Sequence, residues 1–83
     1  MKEYVGKKVN IMMDGVTGFR AINSGTVESI VEKTAKKFKM VLTNGKTETF
    51  GYQSDAPVSK ILYGERIVVV TYRDGSQTFL DFF

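Results

Sequence analysis

Glycine-bearing turn pairs recur along this 83-residue chain at Asp14-Gly15, Ser24-Gly25, Asn44-Gly45, Tyr63-Gly64 and Asp74-Gly75. They cut it into short runs. Asn-Gly and Asp-Gly supply the positive φ that two-residue hairpins require. The runs between them are rich in β-branched and aromatic residues, the pattern of an antiparallel meander or barrel. Val5, Val9, Ile11 and Met13 fall at even spacing, which predicts a strand over 5–13 with one buried face. Phe38, Met40 and Leu42 alternate with Lys37, Lys39 and Val41 and lead into Asn44-Gly45, so 46–52 is expected to return as the partner strand. Residues 67–72 and 78–83 flank Asp74-Gly75 as a second hairpin. Pro57, the only proline, falls in a polar loop over 53–59, where it interrupts no ladder.

One segment fits two readings. Val27, Ile30, Val31, Thr34, Ala35 and Phe38 follow the period of an amphipathic helix, with Ser24 or Thr26 as a cap and Glu32 one turn before Lys36. Against a helix, Val27, Ile30, Val31 and Thr34 are β-branched and Gly25 stands directly before the run. Periodicity leaves both a strand and a helix over 26–38 open, the second giving an α+β domain.

The C-terminal runs are apolar on both faces, where a half-buried strand would alternate. A single domain over 1–83 has no second layer to cover the outer side. Each large apolar side chain left in water forgoes about 1.5–3 kcal/mol. The expectation is self-association through Ile67, Val68, Val69, Val70, Phe79, Leu80, Phe82 and Phe83, or one face packed on a helix.

Catalytic chemistry is poorly provided for. The chain has no histidine and no cysteine, so the commonest general acid/base, the thiolate nucleophile and the soft metal ligands are missing. The carboxylates are scattered and no glycine loop resembles a phosphate cradle. The expectation is no enzyme, no metal and no cofactor. With no apolar run of about 18 residues and no disulfide framework, a cytoplasmic protein that does not enter a membrane is expected.

Charge points elsewhere. The net charge is only +3, yet Lys33, Lys36, Lys37, Lys39 and Lys46 lie between residues 33 and 47 with no carboxylate among them. Such a patch is the footprint of a polyanion binder, its plainer reading being a solvated loop.

In order, the elements Gly6-Lys-Lys-Val-Asn-Ile-Met-Met-Asp14-Gly15, Ser24-Gly25-Thr-Val, Phe38-Lys-Met-Val-Leu42 and Ile61-Leu-Tyr-Gly-Glu-Arg-Ile-Val-Val-Val70 resemble the Sm/LSm/Hfq-like family. The resemblance implies an all-β, small, strongly bent, five-stranded antiparallel barrel of SH3-like or Sm-like form, assembled as a homo-oligomeric ring through its last strands. It makes 26–38 the second, bent strand. It also implies single-stranded RNA or DNA as partner, with bases stacked near the Asn of the third motif and a basic residue before the Gly of the last. Here those positions hold Lys39 and Tyr63, and the usual Asp of the third motif is Ala35. What remains is generic chemistry, in which Lys36, Lys37 and Lys39 neutralise phosphates and Tyr63 offers a stacking face with Arg66 nearby. For Tyr63 the plainer reading is a packed strand residue with its hydroxyl at the rim. A rival reading is an SH3-like protein-interaction module using Tyr4, Tyr52, Tyr63 and Tyr72, or a small inhibitor protein.

Overall fold

The computed structural model describes residues 3–15 and 18–83, with side chains over 3–13 and 25–83. Seven strands follow one another, β1 (Lys8–Gly15), β2 (Gly18–Lys33), β3 (Phe38–Leu42), β4 (Thr47–Phe50), β5 (Val58–Tyr63), β6 (Ile67–Tyr72) and β7 (Gln77–Phe82). They form one antiparallel sheet in the order β4-β3-β2-β1-β7-β6-β5. The all-β expectation holds. The strand count does not: the described residues form seven strands where five were expected, and β4 and β5 remain as separate edges, so the barrel is not closed.

The extra strands have local causes. The stretch 61–70, matched to a single motif of the five-stranded barrel, turns at Tyr63-Gly64, where the Gly64 amide donates to the Ile67 carbonyl at 2.9 Å, and is divided between β5 and β6. Segment 26–38 is extended and not helical: β2 runs to Lys33, a turn takes 34–37, and β3 starts at Phe38. Its β-branched residues suit the pleat. Ser24-Gly25 makes no turn. Gly25 lies inside β2 with φ +110° beside a register shift at Val9/Asn10, and this bulge bends a 16-residue strand so that its first part pairs with β1 and its second with β3. Asp14-Gly15 still belongs to β1, and the connection at 16–17 lies outside the described residues, as does the Ser24 side chain. Asn44-Gly45 and Asp74-Gly75 form the expected hairpin turns, with Gly45 and Gly75 donating to Leu42 and Tyr72 carbonyls at 3.0 Å each.

Alternation decides what is buried. Val9 and Ile11 of β1, Phe38, Met40 and Leu42 of β3, Val68 and Val70 of β6, and Leu80 and Phe82 of β7 all face inward. Val5 and Met13, the ends of the first periodic run, are exposed instead. Phe38 joins the two ends of the curled sheet: its ring lies 5.7 Å from Tyr63, 6.2 Å from Tyr4 and 6.5 Å from Phe82, all edge-on. Tyr4 precedes β1 and closes the core from below, stacked on Phe82 at 4.3 Å with its hydroxyl donating to the Gly64 carbonyl at 2.6 Å.

The two-sided C-terminal strands resolve into an inner and an outer set. Val68, Val70, Leu80 and Phe82 are buried in the chain's own core, so these four leave the expected interface. Ile67, Val69, Phe79 and Phe83 face out. Register then builds a row across four strands, with Leu62 opposite Val69, Val69 opposite Phe79, and Phe79 opposite Met12. Leu62, at 55% exposure, leads this apolar row on the outer face. Among the described residues no helix is long and apolar enough to cross a membrane.

Candidate functional site

The lysine-bearing turn between β2 and β3 is held from three directions. Within it, the Thr34 hydroxyl accepts the Lys37 amide at 2.9 Å and the Lys36 amide at 3.3 Å, and the Thr34 amide donates to the Lys37 carbonyl at 2.8 Å. From β5, the Ile61 amide donates to the Ala35 carbonyl at 2.9 Å and the Tyr63 hydroxyl donates to the Thr34 carbonyl at 2.6 Å. From the end of β4, Gly51 lies against the turn's backbone. A Cβ there would overlap the Lys36 carbonyl oxygen and stand 3.3 Å from Lys37 Cα, and φ at Gly51 is +89°. Only glycine permits both the close approach and the conformation. Lys36 and Lys37 therefore project into solvent from a fixed base.

The same approach delivers Tyr52. Its ring carries the Lys37 ammonium at 5.2 Å and the Lys39 ammonium at 5.7 Å from the ring centroid. Its hydroxyl donates to Glu32 Oε1. Glu32 and Lys39 are cross-strand partners in β2 and β3, and Lys39 faces Thr49 of β4, so one row of the outer face holds the acid, the base and the approach to the ring. The hydrogen bond to Glu32, aided by desolvation and the carboxylate's charge, raises the Tyr52 hydroxyl above the ordinary tyrosine value.

Of the expected residues, Lys37 and Lys39 come together at the Tyr52 ring, and Lys36 is exposed on the turn just before them. Tyr63 does not offer a free stacking face. Its ring packs on Phe38, the Lys33 ammonium lies 4.9 Å from its centroid, and its hydroxyl is committed to the turn. Burial first, then the neighbouring Tyr4, pushes that hydroxyl up to about 12. Tyr63 positions the lysines. Arg66 is engaged elsewhere, its guanidinium donating to both Asp81 oxygens at 2.7 and 3.4 Å on the outer face of β7. Lys46 lies in the β3–β4 turn and Lys33 pairs with Glu3 at 3.5 Å.

Sequence reasoning missed Tyr52 as the lysines' aromatic partner and Glu32 as its anchor. The signal available was Gly51 directly before an aromatic residue, a glycine with no turn of its own to explain it. The four tyrosines of the interaction-module reading are dispersed. Tyr4 is core, Tyr63 is rim and Tyr52 sits among lysines. Tyr72 borders an open groove of about 650 Å³ lined also by Met13, Pro57, Arg73, Asp74 and Thr78. Among the described residues no group of three or more acidic side chains is placed to hold a metal ion.

No known protein family, curated protein or solved structure matches the chain closely enough to assign it.

Proposed function

We propose that this protein is a non-catalytic, cytoplasmic binding module for single-stranded nucleic acid, RNA or DNA, acting as a homo-oligomer of the Sm-like kind. The observation that carries the reading is the clamped turn with the start of β3, where the Lys37 and Lys39 ammoniums stand at the partly exposed Tyr52 ring and Lys36 is exposed on the adjoining turn. Cations beside a partly exposed aromatic ring are the two ingredients of sequence-tolerant single-strand binding, charge for phosphates and, once the ammoniums move to them, a π-face for bases. A turn anchored through its own backbone loses little entropy when those cations engage, which favours affinity. The motif resemblance to Sm-like proteins supports the same ligand class. Self-association is assigned to the outer row of Leu62, Val69, Phe79 and Met12, an apolar row that contact with another copy of the chain would cover.

Binding of a fluorescent single-stranded 12-mer, measured by anisotropy across salt, tests the reading. Three phosphate contacts give a slope of log K against log salt of about −2, or about a twentyfold loss between 50 and 200 mM. The triple variant Lys36→Gln, Lys37→Gln, Lys39→Gln should lose both binding and slope while keeping its melting temperature. Unchanged binding in that variant overturns the proposal.

A further inference from the structure

Every contact so far assigned to the lysine face is blind to sequence. Glu32 is different. It is a carboxylate at the edge of the Tyr52 ring, held there by the ring's own hydroxyl and by its place opposite Lys39 in the β2–β3 register. An ionised carboxylate only accepts hydrogen bonds, and it has lone-pair sites for about four of them. Accepting one from Tyr52 leaves Glu32 with further acceptor sites beside the hydroxyl end of the ring.

We propose that Glu32 sets a base preference at the Tyr52 platform, favouring bases that present an amino group (cytosine, adenine and guanine) over uracil and thymine. This inference rests on the nucleic-acid reading above and deepens it. The chemistry is a matter of donors and acceptors. Cytosine N4 and adenine N6 carry two hydrogens each, and a carboxylate accepting from cytosine N4 is an established pairing. Uracil and thymine present the O4 carbonyl in that place, so the carboxylate meets an acceptor and the contact is repulsive. Their single N3–H stands between two carbonyl oxygens that oppose the approach. Discrimination by a mismatched acceptor pair follows the general rule that a polar group left without its partner costs more than a good contact gains.

The Lys37 and Lys39 ammoniums stand over the Tyr52 ring, so a stacked base has to displace them. Both are long, exposed or half-exposed side chains, and phosphates flanking the base draw them aside. The preference also runs against the uridine recognition that the Sm-like resemblance implies, so the two origins of specificity separate in one experiment.

The experiment compares 12-mers of oligo-cytidine and oligo-uridine RNA at pH 7.5 and 100 mM salt by anisotropy, with the wild-type protein and Glu32→Gln. These ligands share backbone, length and pyrimidine ring size. Gln keeps an acceptor for the Tyr52 hydroxyl and adds a donor, so the platform stays in place while the acceptor-only edge is lost. The expected result is oligo-cytidine bound about tenfold more tightly by the wild type, the scale of one good base contact, and less than about twofold by Glu32→Gln, mainly through improved oligo-uridine binding. Equal binding of the two ligands by the wild type overturns the inference and leaves the binding function standing. A cytidine preference that persists in Glu32→Gln overturns the role of Glu32. Binding of neither ligand overturns the functional reading itself.

Discussion

Gly51 and Gly45 form an internal experiment on the clamp. Their φ values are +89° and +87°, so replacing either with alanine incurs the same conformational cost, about 1–2 kcal/mol for a non-glycine residue in the left-handed region. Their surroundings differ. A Cβ on Gly45 meets nothing within 4 Å, while one on Gly51 overlaps the Lys36 carbonyl oxygen and stands 3.2 Å from the Lys36 carbonyl carbon and 3.3 Å from Lys37 Cα. The obstacle is backbone, which cannot rotate away as a side chain would. Relief requires the end of β4 to separate from the turn by roughly an ångström, and forced overpacking of this kind costs about 1–3 kcal/mol. Gly45→Ala should thus lose about 1–2 kcal/mol and Gly51→Ala about 2–5 kcal/mol, summing the two costs. Urea unfolding followed by far-ultraviolet circular dichroism reads the difference. With a slope of about 1 kcal/mol per molar for a small domain, the midpoints should separate by roughly 1 M or more. The same loosening moves Tyr52 away from Lys37 and Lys39, so Gly51→Ala should weaken binding of a single-stranded 12-mer while Gly45→Ala leaves it unchanged. Equal destabilisation by the two substitutions, at equal slopes, would refute the close-approach argument and the clamp with it.

Further tests follow from burial and titration. Phe79→Ser on the outer face should lower the mass of any assembly seen by light scattering with little change in melting temperature. Phe82→Ala, which opens the core against Tyr4 and Phe38, should cost about 3–5 kcal/mol whatever the oligomeric state. An unchanged assembly in Phe79→Ser excludes the outer row as the interface. Tyr4→Ala should destabilise on a similar scale to Phe82→Ala, because residue 4 is 2% exposed and stacks on the same ring. Stability should fall above pH 10: the unfolded chain releases the Tyr63 proton near its ordinary value of 10, while the folded protein holds it to about 12. Tyr63's contribution is complete below pH 10 and is lost between about 10 and 12. Thermal melts of Tyr63→Phe should therefore decline less steeply over that interval than the wild type, and parallel declines would contradict the packed, hydrogen-bonded placement of Tyr63.

Much of the local structure was written in the sequence because it depends on neighbours along the chain. Asn44-Gly45 and Asp74-Gly75 fold where their positive φ allows, and the alternation of Phe38, Met40 and Leu42 names the inner face of β3 without reference to any other strand. The absence of histidine and cysteine narrowed the chemistry, and the run from Lys33 to Lys46 located the charge. What tertiary structure decided was everything requiring two distant segments to meet. Sequence shows Ile67 to Val70 and Phe79 to Phe83 as apolar on both faces, and only the register of β5, β6, β7 and β1 separates core from outer row. Tyr63 looked like a stacking face because its neighbours in sequence do not include Phe38, Lys33 or Thr34, which cover it in space. Tyr52 and Glu32, 20 positions apart, become a pair only when Gly51 brings the end of β4 onto the turn before β3. Periodicity and turn chemistry report on bonds and φ angles a few residues long. Which aromatic face stays open to a ligand is settled by long-range packing, and in this chain that packing runs through a single glycine contact.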